Sequence, residues 1–564
     1  MKRRVLAMLG GVLLLSGVFM TAARAQETAA PNPEIEKLKA QMAAQQEQID
    51  QLRKALEEEK KVLNQIGQPK EEPKKAVEEA GQPKPRSLGE VASTTPILPA
   101  GDAAPVVRPA VAAALTPTLQ APGEEPASPL QLRIGTATIT PIGFIDFTSV
   151  FRSADGGSGI GTSFGSTPYN NVSTGLGKLT EERFSAQNSR IGARVDALVH
   201  GTKVLAYWES DFLGTQSTNA GVTSNSNSFR MRLYFVDLRK GQWEILGGQS
   251  WSMMTPGRVG ISPLPADIFY SQDMDTNYQV GIPWTRAPQF RAVYHPSDIV
   301  TVGFALETAE QYGGGSSGGG AIVLPSTLVT PFTNTQIDLG AATFTPPNLT
   351  PDVQAKIAFD PKVDGKLMHI EFGGLLSEFK TYNPTTSTSF TKSGGAGEAN
   401  FNLELLKGFH MLVNTFYSDG GGRYLFGQAP DLAIAASGAP IPMHADATVD
   451  GFEYYIKNTT LFAYYGGDYI GKTVLLDTTN KDAFIGYGYP KSANSQNRTI
   501  QEATFGFNQT FWKNPTYGAL SFIFQYSYLL RDPWYVAAGS PDKTHNNMVF
   551  LDLRYTLPGQ APHY

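Results

Sequence analysis

The stretch NSFRMRLYFVDLRKGQWEILGGQSW, from Asn227 to Trp251, places arginine at alternate positions of an apolar segment. Arg230 and Arg232 are interleaved with Phe229, Met231, Leu233 and Phe235. Successive side chains of a β-strand point to opposite faces, so the arginines share one face and the apolar residues share the other. A soluble sheet turns its charged face to water, whereas a membrane barrel turns its apolar face to lipid and encloses the charges.

The same alternation recurs from Leu132 onward. In SRIGARVDALVH, for example, Ile191 and Val195 fall opposite Arg190 and Arg194. Tyrosine and tryptophan stand near segment ends, and short turns such as RKGQ and LKGF alternate with very long glycine-rich loops, as in transmembrane barrels. Because backbone groups in lipid must be bonded within the protein, such a sheet has to close.

These patterns predict an all-β membrane protein, an antiparallel transmembrane β-barrel over residues 132–564. An even number of strands, about sixteen, is expected, and a barrel of that size leaves an aqueous lumen. The predicted strands lie near 139–151, 189–200, 203–213, 228–239, 243–252, 286–295, 299–308, 352–360, 366–380, 397–407, 408–418, 450–458, 460–470, 500–512, 516–531 and 546–557.

The N-terminal region predicts export. A basic MKRR, an apolar run from Val5 to Met20 and a small-residue ARA site together indicate a secretory signal peptide over 1–25. The alternative is a retained membrane anchor, for which the apolar run is short. We therefore expect the barrel to lie in the outer membrane of a bacterial cell.

Residues 26–66 carry a heptad pattern, interrupted at Gln45 and Glu59. Its apolar members are Ile35, Leu38, Met42, Ile49, Leu52, Leu56, Leu63 and Ile66. This spacing predicts a short periplasmic α-helical coiled coil that oligomerises the chain; the alternative is one amphipathic helix lying on a partner surface. Residues 67–131 are rich in Pro, Ala, Glu and Lys and predict an extended linker.

Composition excludes several functions. The chain has 564 residues, a net charge of −5 and no cysteine. A near-neutral balance argues against nucleic-acid binding, and the lack of cysteine removes disulfides and thiolate chemistry. The seven histidines are scattered; His369 and Glu371 share one strand face, which favours a lumen lining over a metal site. No cofactor and no metal are expected.

The inward face of the early strands is the candidate functional surface. Its predicted pore-lining residues are Arg190, Arg194, Arg230, Arg232, Arg291, Glu209 and Asp211, with Asp196 as a further acceptor. Clustered guanidinium groups favour small anions such as carboxylates or phosphates. The alternative is that these arginines pair with the carboxylates and brace the wall, and one residue can do both.

The alternation also assigns faces along the opening stretch. Phe229, Met231, Leu233 and Phe235 are expected to face lipid, and Arg230, Arg232 and Tyr234 to face the lumen. The pattern becomes irregular beyond Val236, where a bulge is possible.

The segment 253–285 lacks strand alternation and is long for a connection. We predict that it folds into the barrel as a constriction loop that carries Arg258. Asp267, Asp273 and Asp275 would then face the wall arginines across the opening. The alternative is an ordered external loop at subunit contacts. Loops 309–350 and 420–448 are expected outside, although the second is also able to fold over the pore mouth.

The motifs SRIGARVDA, FRMRLYFVDL, WEILGGQSWS and RAPQFR resemble the DcaP-like trimeric porins of Gram-negative outer membranes. Gly248 to Ser252, closing the fifth predicted strand, is the strongest element. The chain is also similar to the phosphate-selective O/P-type porins. The resemblance implies a homotrimer in outer-membrane lipid, a periplasmic N-terminal coiled coil and passive uptake of small hydrophilic, often anionic, solutes.

Two other functions compete with a porin. GTSFG (161–165) and Gly314, Ser316 and Gly318 match Gly-x-Ser-x-Gly, but both lie in glycine-rich loops instead of a strand–turn–helix, so no enzyme is expected. The second rival is a structural tether that joins the outer membrane to peptidoglycan through the coiled coil.

Overall fold

The computed structural model describes residues 129–156, 159–168, 175–214, 228–263, 268–273, 278–316, 318–340, 350–538, 541 and 543–558. The predicted signal peptide (1–25), the coiled-coil segment (26–66) and nearly all of the linker (67–131) lie outside these residues.

The described residues form a closed antiparallel barrel with sixteen strand positions. The strands are β1 (Leu132–Ile134), β2 (Ala137–Arg152), β3 (Glu181–Ser185), β4 (Arg190–Val199), β5 (Thr202–Asp211), β6 (Arg230–Lys240), β7 (Trp243–Trp251), β8 (Arg286–Tyr294), β9 (Val300–Glu307), β10 (Asp352–Phe359), β11 (Lys362–Val363), β12 (Lys366–Asn383), β13 (Thr388–Leu406), β14 (Phe409–Asp419), β15 (Leu432–Ile434), β16 (Pro440–Pro442), β17 (His444–Ile456), β18 (Thr459–Ile470), β19 (Thr473–Asp477), β20 (Ala483–Tyr487), β21 (Asn497–Asn514), β22 (Gly518–Pro533) and β23 (Thr544–Thr556). The strands β3 and β4 both pair with β2 and share one barrel position. Pairing of β23 with β2 closes the barrel.

The predicted strand number and positions are confirmed, and the main difference concerns β12 and β13. Their hairpin extends beyond the predicted ends, so β13 begins at Thr388 instead of near 397. The added part of β13 is rich in Thr, Ser and Gly and has no apolar alternation to reveal it. Backbone pairing with β12 through Asn383↔Thr388 holds it in strand conformation.

Several short elements between the barrel strands pack into one apolar cluster at the end of the barrel that carries the long loops. They are the hairpins β15–β16 and β19–β20, the helix α1 (Val329–Phe332) and the 3-10 turn Gly422–Tyr424. Leu328, Phe332, Tyr424, Leu432 and Tyr487 belong to this cluster and are buried. Two further 3-10 turns lie at Phe164–Ser166 and Gly175–Lys178, and Phe164 belongs to a second cluster with Phe269 and Tyr278.

The two faces of the barrel differ as the alternation predicts. On β23, Leu551 and Leu553 are exposed on the outside, whereas Asp552 and Arg554 are buried on the inside. Near the short-turn end, aromatic rings meet in pairs on the outer surface, such as Trp243 with Tyr294 and Trp512 with Tyr555. An apolar outer surface bordered by aromatic rings is the surface that lipid requires.

The face assignment along β6 is wrong beyond Arg232. The register against β5 shifts between Glu209↔Leu233 and Ser210↔Met231, so a β-bulge turns Arg232 and Leu233 both inward. Leu233 and Phe235 are buried in an interior cluster with Leu205, Tyr207 and Leu246. Tyr234 and Val236 are on the outside, 38% and 46% exposed. The bulge therefore precedes the irregularity that the sequence shows near Val236.

Candidate functional site

Arginines and carboxylates cover the inner surface of β4, β5 and β6 near the long-loop end. We call Arg190, Arg194, Asp196, Glu209, Asp211, Arg230 and Arg232 the arginine wall. Arg232 is fully buried; its Nε donates to Glu209 Oε1 at 2.8 Å and its Nη1 to Asp211 Oδ2 at 2.8 Å. Arg230 binds the same Asp211 carboxylate through Nε at 2.9 Å and Nη2 at 2.6 Å. Asp211 thus joins both arginines of β6 to β5.

The two arginines of β4 complete this wall. Arg190 Nη1 lies 3.8 Å from Glu209 Oε1, and its guanidinium lies 5.2 Å from the centre of the Phe144 ring. Arg194 donates two hydrogen bonds to the carboxylate of Asp196, two residues along the same strand, through Nε at 2.6 Å and Nη2 at 2.5 Å. Four guanidinium groups therefore meet three carboxylates, and each pair joins residues on the same or adjacent strands.

Arg291 lies apart from the arginine wall, on the inner face of β8. Its Nε donates to Gln289 Oε1 at 2.9 Å, and its Nη2 donates to the carbonyl oxygen of Trp251 at 2.5 Å. The side chain is buried and links β8 to the end of β7.

The connection between β7 and β8, residues 252–285, includes the predicted constriction loop 253–285. Its described parts contact the inner face of the barrel wall opposite the arginine wall. Arg258 is held by Glu453 on β17 through two hydrogen bonds of 2.8 Å, and it also donates to the carbonyl oxygen of Ile268. The backbone N–H of Tyr270 donates to Tyr464 Oη at 3.2 Å, and that of Val280 donates to Glu502 Oε2 at 3.2 Å. These contacts span some 200 residues of sequence and carry the segment into the barrel.

Asp273 does not face the arginine wall as expected. It is fully buried, and its carboxylate accepts hydrogen bonds from Gln525 on β22 at 2.8 Å and from Ser271 at 2.6 Å. Burial raises the pKa of the Asp273 carboxyl, and its hydrogen bonds oppose that rise only in part. The other two predicted acidic residues, Asp267 and Asp275, lie outside the described residues.

Lys356 and His369 anchor the first half of this segment; the sequence predicted His369 and Glu371 in the lumen lining and assigned no role to Lys356. Lys356 Nζ lies 2.9 Å from Glu371 Oε1 and 2.8 Å from Glu398 Oε1, and it donates to the carbonyl oxygen of Thr255 at 3.1 Å. His369 bridges Asp360 and Glu371, at 2.8 and 3.2 Å. The same two carboxylates accept the backbone N–H groups of Gly257 and Gly260. The inward alternation of β10, β12 and β13 signals these side chains, but not the segment they hold.

The loop between β14 and β17 also enters the barrel mouth. The backbone N–H of Trp284 donates to the carbonyl oxygen of Tyr424 at 2.8 Å. The ring of Phe426 lies 4.5 Å from the ring of Tyr278 and 4.7 Å from that of Trp284, centroid to centroid. Of the two placements considered for 420–448, the structure has the one that folds over the mouth.

The candidate serine motifs occupy loops. Ser163 precedes the 3-10 turn Phe164–Ser166, and Ser316 Oγ lies 2.6 Å from Tyr312 Oη. Neither stands at a strand-to-helix turn. Within the described part of the chain, no three His, Asp or Glu side chains are arranged to hold a metal ion. No helix there is long and apolar enough to cross a membrane.

The fold and its interior define a sixteen-stranded barrel with an apolar aromatic outside, a charged inside and a segment folded into it. No protein-family model matches the sequence, and no curated protein matches it. The fold is similar to the outer membrane channel DcaP of Acinetobacter baumannii, at 18% identity over 74% of this chain and 97% of that chain, with a TM-score of 0.53. At this identity the likeness concerns the fold, and it confirms the resemblance drawn from the motifs.

More distant matches include OmpT of Vibrio cholerae, at 12% identity over 76% of this chain and 99% of that one, TM-score 0.40. An anion-selective porin from Comamonas acidovorans matches at 11% identity over 74% of this chain and 99% of that one, TM-score 0.40.

Proposed function

We propose that the protein is an outer-membrane porin, a water-filled channel for passive diffusion of small hydrophilic solutes. The observation that carries the proposal is the closed barrel with apolar outer positions and a charged interior crossed by the segment 252–285. Such an arrangement suits transport because the wall excludes lipid while the inner segment limits the size of the passage. The DcaP channel, whose fold is similar, is itself described as an outer membrane channel.

Loop lengths support an orientation. Turns between β4 and β5, β6 and β7, and β17 and β18 are short, whereas the connections at the other end of the barrel are long. In outer-membrane barrels the short turns face the periplasm and the long loops face the outside. In this orientation the arginine wall and the apolar cluster of loops lie toward the external mouth. Because β2 begins at the short-turn end, the orientation supports a periplasmic coiled coil.

Anion preference is the finer part of the proposal. The arginine wall holds four guanidinium groups against three carboxylates, so an excess positive charge lies on one side of the passage. Arg291, on β8, hydrogen-bonds to neutral acceptors, and the carboxylates of Glu307, Glu244 and Asp237 near it offset its charge. A low-dielectric wall focuses this charge on a passing solute, and guanidinium groups bind carboxylates and phosphates in two-point geometry. We expect small carboxylates to pass more readily than cations of the same size.

Planar-bilayer recording of the full-length chain tests the channel and its selectivity. Discrete conductance levels are expected, and in a salt gradient the reversal potential should have the sign of anion preference. If the barrel inserts into the bilayer but no channel conductance is recorded, the structural tether is favoured instead. A conducting channel with cation preference would remove the anion proposal alone.

We also propose a homotrimer joined by the coiled coil of residues 26–66. The heptad repeat supports this arrangement, since a helix without partners would leave its apolar seam exposed to water. Deleting residues 34–66 should lower the fraction of trimer in light-scattering measurements without changing the conductance of each barrel. An unchanged oligomer would assign the heptad segment to another partner, such as peptidoglycan.

A further inference from the structure

The outer face of β17 differs from the lipid-facing strands elsewhere on the barrel. Its inward positions, Ala447 and Val449, are buried. Its outward positions toward the long-loop end are polar: His444, Asp446, Thr448 and Asp450. On β9, five strands away around the barrel, the outward positions Val302 and Phe304 are apolar and exposed.

Asp450 lies near the middle of the apolar band. With a rise of about 3.3 Å per residue and a tilt of about 40°, it stands about 18 Å above the Lys457–Asn458 turn. The aromatic Tyr454 lies below it on the same face. An apolar band about 25 Å tall starts near that ring and extends past Asp450. A carboxylate at this depth faces hydrocarbon if lipid covers the strand, which costs free energy that grows toward the bilayer centre.

Small side chains continue this face across neighbouring strands. Ala399, Thr415, Thr448 and Gly467 are direct partners in one row across β13, β14, β17 and β18. Thr448 Oγ1 lies 3.2 Å from Asp450 Oδ2, and Thr415 Oγ1 donates to the carbonyl oxygen of Ala399 at 2.9 Å. The row thus presents a low, hydrogen-bonding surface that another backbone or side chain can approach closely.

We propose that the outer face of β13, β14, β17 and β18 is the contact surface between barrels, and that its occupant is a second copy of this chain. Contact with protein removes Asp450 and Thr448 from lipid and supplies hydrogen-bond partners. This inference rests on the homotrimer proposed above and names the strands that form it. The predicted heptad segment gives an independent reason for a second copy at the same membrane site.

A ring of three brings the two contact lines of each barrel close together. Each round subunit in such a ring meets its two neighbours along lines about 60° apart, between two and three strands of sixteen. The outward face of β12, which carries both Lys380 and Glu378, lies three strands from β17. The strands from β12 to β17 therefore span the two contact lines of one subunit.

A photo-cross-linking residue placed at Thr448 tests the surface, with the same residue at Val302 as the matched control. Both positions face outward on barrel strands, and both variants keep the full chain. Irradiation of outer membranes should give covalent dimers and trimers from position 448 and lipid adducts from position 302. Lipid adducts alone from position 448, or protein cross-links from position 302 instead, would overturn the proposal.

Two glycines provide a second test that needs no cross-linker. A Cβ added at Gly467 meets only ordinary van der Waals contacts, and one added at Gly247, outward on β7, meets nothing within 4 Å. Gly467→Trp should lower the trimer-to-monomer ratio in detergent by roughly tenfold or more, since its bulk occupies the contact surface. Gly247→Trp should leave the ratio unchanged; equal ratios for both variants would contradict the proposal.

Conductance of the same samples separates this inference from the proposed function. Channels that conduct but show neither the cross-links nor the Gly467→Trp effect would remove the contact surface and leave the porin standing. Samples that form the predicted oligomers but never conduct would support the contact surface and remove the channel.

Discussion

The arginine wall and the wall opposite it use charge in different ways. On the arginine wall, Arg230 and Arg232 bind Asp211 and Glu209 on the adjacent strand, so most of its charge is paired within the wall. On the opposite wall, Glu453 and its neighbours instead bind Arg258 and other groups of the segment 252–285. The first arrangement braces neighbouring strands, whereas the second fixes the position of a segment inside the barrel.

This difference separates two properties of the proposed channel. Charged groups that pair within a wall set the electrostatic potential along the passage, and neutralising them leaves the shape of the barrel intact. Charge that binds the inner segment sets the width of the passage, and its loss frees that segment. Substitutions on the two walls should therefore change ion preference and conductance independently.

The largest expected effect comes from Arg258→Ala. Removing this arginine leaves the buried Glu453 carboxylate without its cation, and breaking a buried pair costs about 3–5 kcal/mol. The inner segment should detach, so single-channel conductance should rise while the barrel's urea midpoint falls. Arg498→Ala is the control, because Arg498 pairs with Asp532 at the exposed rim and such pairs contribute about 1 kcal/mol or less. Unchanged conductance in Arg258→Ala would show that Glu453 does not hold the segment.

Leu233→Ala tests the β-bulge in β6, which points the Leu233 side chain into the barrel. Its side chain is fully buried among Leu205, Tyr207 and Leu246, so truncation should cost about 2–4 kcal/mol of folding free energy. Met231→Ala on the outward face should cost less, since lipid fills the space that it leaves. Urea titration of folding into liposomes measures both variants. Equal losses of folding free energy in the two variants would favour the simple alternation, in which both residues face lipid.

Neutralising Arg230 and Arg232 together should change selectivity more than conductance. The double variant Arg230→Ala, Arg232→Ala leaves Glu209 and Asp211 as excess negative charge on the arginine wall. The reversal potential in a salt gradient should move toward cation preference, and Glu209→Gln with Asp211→Asn should move it the other way. If neither variant changes the reversal potential, these residues brace the barrel wall and do not set ion preference.

The smallest expected effect is a pH dependence of the inner segment. Burial raises the pKa of Asp273 in the docked segment, so docking binds its proton more tightly than the free carboxyl does. Docking is therefore strongest below the ordinary carboxyl pKa of about 4 and weakens as the pH rises toward the raised pKa. Conductance should increase with pH, and Asp273→Asn should weaken that dependence, because Glu502 on β21 is a second carboxyl in contact with Asp273. Asp211→Asn on the arginine wall should keep it; a loss in both variants would point to a shared titration instead.

Sequence patterns were sufficient for the parts of the fold that depend on near neighbours. Alternation over successive residues located the barrel strands and the inward arginines, because a strand's period is fixed at two residues. It also put Arg194 and Asp196 on one face. The same rule misplaced Leu233, since a bulge inserts one residue into the period and no side-chain type in that stretch marks where it occurs.

Only the tertiary structure decided what the inner segment contacts. Arg258 reaches Glu453 and Asp273 reaches Gln525 across separations of 195 and 252 residues. Spacing in the sequence carries no information over such distances, because closure of the barrel is what brings these strands opposite the segment. By itself, then, the sequence determined a barrel with charge inside and apolar residues outside, and it predicts export. Folding in three dimensions decided which carboxylate each arginine binds, and therefore which charges brace a wall and which hold a segment within the passage.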